Sequence, residues 1–123
     1  MNISKELLSE VLGYEVLSFR EAGDFIMYET SFSKAGINIY ELAHKCKEWA
    51  FLEGFTVESK LDFFFPEYNN GCIARCYVSN KEEGVILREQ SNTEPEVIFK
   101  ATSYILDCKA CQWILDNKEK GDG

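Results

Sequence analysis

The sequence predicts an α+β domain: an antiparallel sheet of four to five strands packed with three helices, in the order α-β-β-α-β-β-β-α. Three observations predict it. Stretches with apolar residues at helical spacing are interspersed with stretches of period-two alternation. Gly, Asn and Pro fall between these stretches, where turns belong. An amphipathic helix and a half-buried strand each need a partner layer, and a sheet with helices laid against it supplies one to both.

The first helix runs from about Lys5 to Leu12, capped by Ser4, with Leu7, Leu8, Val11 and Leu12 on its apolar side and Gly13 as a left-handed stop. Tyr14 to Arg20 and Asp24 to Thr30 form a hairpin around Glu21-Ala22-Gly23. The strongest local signal follows. Asn38 is a good N-cap, Glu41 stands at the capping-box position, and Ile37 with Leu42 has staple spacing. That helix runs to about Leu52 with an apolar stripe of Ile39, Leu42, Ala43, Cys46, Trp49 and Ala50, and Gly54 ends it.

From Phe55 to Phe64, residues Phe55, Val57, Ser59, Leu61 and Phe63 share one strand face, and Thr56, Glu58, Lys60 and Asp62 the other. Pro66 and Asn69-Asn70-Gly71 mark a turn, so Cys72 to Ser79 pairs back, and Val85 to Gln90 follows the polar turn that begins at Asn80. Thr93-Glu94-Pro95-Glu96 opens the last helix, which continues to about Asn117, with Asp107 the residue best placed to loosen its middle. Residues 1–118 thus form a single domain and 119–123 a flexible tail. A chain of 123 residues, 46% apolar with nine Phe, six Tyr and two Trp, is large enough for one core and too short for two ordinary domains. Neither disulfide nor metal is needed at this size.

The formal charge of -8 disfavours phosphate backbones, and with them direct nucleic-acid binding, as well as acidic membrane surfaces. The first residues lack the basic start and apolar run of a signal peptide, and no stretch has membrane-spanning length. Five cysteines, an odd number, fit reduced thiols in a cytoplasmic protein better than a disulfide framework.

Cys72 and Cys76 share a strand face, and Cys108 and Cys111 share a helix face, so the four could bind zinc if strand and helix met. Both pairs lie inside apolar-patterned elements instead of the turns that wrap such ions, and small buried core residues are the expected role. Cys108-Lys109-Ala110-Cys111 has redox spacing, but sits near the end of a helix and not at its start, where the dipole lowers a thiol pKa. His44, the only histidine, is expected at the surface beside Glu48. No nucleophile-base pattern and no glycine-rich phosphate loop accompanies it, so neither a catalytic residue nor a cofactor is expected. Phe63-Phe64-Phe65-Pro66-Glu67-Tyr68 holds more aromatic rings than one strand face can bury. Asp62, Phe64, Phe65, Glu67 and Tyr68 are therefore the candidate protein-interaction residues.

The stretch from Asn38-Ile39-Tyr40-Glu41-Leu42-Ala43-His44 to Trp49-Ala50 resembles small proteins of phages and prophages. Glu94-Pro95-Glu96-Val97-Ile98-Phe99-Lys100-Ala101 is similar to the start of the final helix in the phage α-β-α sandwich domain group. The resemblance spans about residues 37–106 and carries no catalytic motif. It implies an accessory protein that binds and inhibits a host protein, such as an anti-defence inhibitor of a CRISPR-type nucleoprotein effector. A zinc-stabilised or redox domain, a phage structural or assembly role, and a homodimer remain open alternatives at this point.

Overall fold

In a computed structural model the chain folds as α1 (Lys5–Leu12), β1 (Ser18–Ala22), β2 (Phe25–Glu29), β3 (Lys34–Asn38), α2 (Ile39–Leu52), β4 (Phe55–Phe63), β5 (Cys72–Asn80), β6 (Gly84–Ser91) and α3 (Glu94–Gly121). The structure describes residues 2–63 and 72–121, and their side chains except Phe63, Cys72, Cys111 and residues 113–121. The fold is α+β, as expected, but the strands form two three-stranded antiparallel sheets, β1-β2-β3 and β4-β5-β6, and not one sheet of four to five strands.

The difference arises at β3, a strand the sequence pattern does not announce. Lys34-Ala35-Gly36 has little intrinsic strand preference, and Ile37 and Asn38 already serve the helix that follows. A side-chain turn makes the pairing: the Thr30 hydroxyl accepts from the amides of Phe32 and Ser33, at 3.2 Å each, and turns the chain back onto β2. Gly36 lies across from Met27, and a Cβ there would come within 2.8 Å of the Met27 sulfur. Ile37 keeps both roles, as a buried strand residue and as the apolar residue before the helix cap.

The helix starts follow the sequence closely. Ser4 Oγ accepts from the Leu7 amide at 3.1 Å, Asn38 Oδ1 from Tyr40 at 2.8 Å, and Thr93 Oγ1 from Glu96 at 3.4 Å. Gly13 closes α1 at φ 84, and Gly54 takes φ 92 between α2 and β4, a region that favours glycine. α3 passes Asp107 unbroken and extends beyond Asn117 to Gly121.

One core joins all the layers. α3 packs on β4, β5 and β6, while α2 packs on α3 and β4, and α1 rests on α2 and α3. Val57, Ala74, Cys76 and Val78 from the second sheet meet Val97, Ile98, Phe99, Ala101 and Ile105 of α3 and the predicted stripe of α2. Full burial of each large side chain contributes about 1.5–3 kcal/mol. The first sheet adds Ile26 and Ile37 to the same core, beside Leu7, Leu8 and Val16.

Candidate functional site

The β4-β5-β6 sheet carries helices on one face. Strand alternation and register put Glu58, Lys60 and Asp62 of β4 on the other, with Ile73, Arg75 and Tyr77 of β5 and Arg88 and Gln90 of β6. Cross-strand partners on this face are Glu58 with Tyr77, Lys60 with Arg75, and Asp62 with Ile73. The charged groups hold one another in place. Asp62 Oδ2 is 2.8 Å from Arg75 Nε, and its other oxygen is 3.8 Å from Lys60 Nζ, which also lies 5.8 Å from the centre of the Tyr77 ring. The Arg75, Lys60 and Asp62 side chains are 41%, 57% and 28% exposed, and Arg75 Nε itself is buried without a well-aligned hydrogen bond, so the pairs orient the side chains more than they stabilise the fold.

Asp62 is the one expected interaction residue that the structure describes; Phe64, Phe65, Glu67 and Tyr68 lie outside the described residues. The structure brings Asp62 and Lys60 together with Arg75 and Tyr77 of the neighbouring strand. The alternation of β4 gave Lys60 and Asp62 a common face. Arg75 and Tyr77 join them through the β4–β5 register, which a strand pattern read singly does not reveal.

The cysteines divide. Cys76 is buried on the helix side of β5, and burial pushes its thiol up to about 11, with the nearby Lys47 opposing. Burial likewise pushes Cys46 up to about 12, opposed by its hydrogen bond with Thr102. Both are neutral core residues at physiological pH. Cys108 is half-buried well inside α3, and its hydrogen bond raises the Tyr104 phenol pKa. The side chains of Cys72 and Cys111 lie outside the description, and among the described residues no three His, Cys, Asp or Glu side chains gather as a metal site.

His44 stands at the surface with Nε2 2.9 Å from Glu48 Oε1. Tyr14 and Tyr28 share a 2.7 Å hydrogen bond between their hydroxyls, and partial burial together with that bond pushes Tyr28 up to about 12. An open groove of about 420 Å³ between α1 and α3 is lined by Glu6, Glu10, Ser103, Leu106 and Asp107 among others. Among the described residues no helix is long and apolar enough to cross a membrane. No family model, curated protein or solved structure matches the chain.

Proposed function

We propose that this protein is a non-catalytic interaction module that binds a protein partner through the outer face of β4-β5-β6. One observation supports the reading above others: a sheet covered by helices on a single face presents Lys60, Asp62, Arg75 and Tyr77 on the other, mutually oriented and still in solvent. Preoriented side chains lose less entropy when a partner docks. Arg and Tyr are also the residue types enriched among strong interface contacts. Alternating signs along β4, and the charge of -8 over the whole chain, favour a protein surface over a phosphate backbone. The segment 64–71, with its Phe, Tyr and Glu residues, follows β4 directly and extends the same reading.

The resemblance to phage proteins makes a bacterial host protein the partner class, with a nucleoprotein defence effector as a member of it. Retention from nuclease-treated bacterial lysate by the tagged full chain, followed by mass spectrometry, tests this. The wild-type chain is expected to retain one stoichiometric protein, and a double change of Arg75→Glu and Tyr77→Ala to release it with the far-UV melt preserved. Retention that the double change leaves intact overturns the assignment of this face.

A further inference from the structure

We infer that the free edge of β4 is a self-pairing site, through which two copies of this chain join antiparallel about a twofold axis at Ser59. Among the described residues β4 is an edge strand, bonded to β5 on one side and to no strand on the other. Folded proteins blunt such edges with short strands, prolines, bulges, inward-pointing charges, charged side chains such as Lys, or a covering helix or loop. Of these, among the described residues, β4 carries charges alone, and their signs alternate as Glu58, Lys60 and Asp62. β4 has nine residues, contains neither Gly nor Pro, and pairs with β5 in unbroken register. The irregularity in this sheet falls instead on the β5–β6 side, between Val78 and Ser79. The charges of β4 all point to the outer face, and among the described residues no strand pairs with the edge.

The strand is complementary to itself. Its sequence is Phe-Thr-Val-Glu-Ser-Lys-Leu-Asp-Phe. Laid antiparallel on a second copy with Ser59 opposite Ser59, it sets Glu58 opposite Lys60 and Lys60 opposite Glu58. The same register sets Val57 against Leu61 and Thr56 against Asp62. A twofold axis perpendicular to the sheet keeps helix-side residues on the helix side, so the pairs meet on matching faces.

One feature of the single chain gains an explanation. Leu61 is 43% exposed although Val57, on the same face of the same strand, is 6% exposed; the pairing brings Val57 of the second copy over Leu61. Facing residues must share a face, so the nearest alternative registers are centred on Glu58 or Lys60. The first sets Glu58 against Glu58. The second sets Lys60 against Lys60 and Glu58 against Asp62. Like charges directly opposite are destabilising in either case. A centre at Leu61 sets Lys60 against Asp62 but pairs only Ser59 to Phe63, so the Ser59 register, which pairs the whole strand, is favoured.

The product is a continuous sheet in the order β6-β5-β4-β4-β5-β6 with the helices of both copies on one side. This inference is independent of the host-partner reading, because it needs nothing but the chain. Sedimentation equilibrium of the full chain over a range of concentrations tests it, with far-UV melting as the control for folding. The wild-type chain is expected to show a monomer–dimer equilibrium. Lys60→Glu turns both symmetry-related Glu–Lys pairs into Glu–Glu and should weaken dimerisation by about tenfold or more. Glu58→Lys should do the same through Lys–Lys pairs and substitutes for Lys60→Glu if that variant melts early. The double exchange, Glu58→Lys with Lys60→Glu, restores opposite charges and should recover the wild-type constant. A wild-type chain that stays monomeric to its solubility limit overturns the inference. So does a dimer indifferent to the single exchanges, or a double exchange that fails to recover it.

Discussion

The chain runs the same connectivity twice. β1-β2-β3-α2 and β4-β5-β6-α3 are each an antiparallel three-stranded meander followed by a helix. The second unit closes on itself: α3 folds back over all three of its own strands. In the first, α2 meets its own sheet chiefly at β3 and packs mainly on α3 and on β4 of the other unit. The linkers account for this. Between β6 and α3 lie Asn92 and Thr93, enough chain to reverse direction. Between β3 and α2 lies nothing, because Asn38 is both the last strand residue and the helix cap. A helix that starts where its strand stops runs onward and not back. It reverses after Glu53-Gly54, which lays it on β4. The same order of elements therefore yields one self-contained layer pair and one sheet held at the margin of the core.

If that contrast is right, the units should open at different free energies. Phe99→Ala, in a fully buried position on α3, is expected to destabilise the whole protein by about 3–5 kcal/mol in denaturant unfolding. Native-state hydrogen exchange should show β1–β3 amides exchanging through a smaller opening than those of β4 and β5. Equal protection of both sheets would break the comparison and make the protein a single cooperative unit.

A smaller effect separates the units by pH. Cys46 and Cys76 lie in the α2-β4-β5-β6-α3 part and hold folded pKa values of about 12 and 11, above the thiol reference of 9.0. A folded pKa above the unfolded one gives stability that is complete below about pH 9. It is lost as the unfolded thiols ionise and pH climbs toward the folded values. The thermal midpoint should therefore fall progressively above about pH 9, and Cys46→Ala should flatten that fall. A profile unchanged by Cys46→Ala and Cys76→Ala together would transfer the alkaline loss to Tyr28 of the first sheet, whose pKa rises from 10.0 to about 12.

The smallest effect belongs to the first sheet alone. At Gly36 the atom in the way of a Cβ is the far end of the flexible Met27 side chain. Gly36→Ala should therefore change stability by no more than about 0.5 kcal/mol, the entropy gained offsetting the repacking. A methyl resonance shift at Met27 reads the displacement, and a loss well above that size would show the sheet to be rigid.

Local signals were legible wherever one residue does its work within a turn of the chain. Ser4, Asn38 and Thr93 announced the helix starts, Gly13 and Gly54 their ends, and the stripe from Ile39 to Ala50 named the buried face of α2 before any packing was known. β3 was not legible, because its sequence prefers nothing in particular and its pairing comes from Thr30 and from the strand beside it. Of the candidate site, the face shared by Lys60 and Asp62 could be read from alternation. The placing of Arg75 and Tyr77 upon it could not, since the β4–β5 register sets which residues face each other across the strands.

The sequence by itself determined the helix starts, their caps and the alternating faces of β4, because periodicity and capping are settled within a few residues. Tertiary structure decided that the strands divide into two sheets, that α2 serves the sheet after it more than the one before, and that one face of β4-β5-β6 stays in water. Those outcomes depend on linker length and on which layer buries the most apolar surface, and such a competition is decided by the whole chain at once.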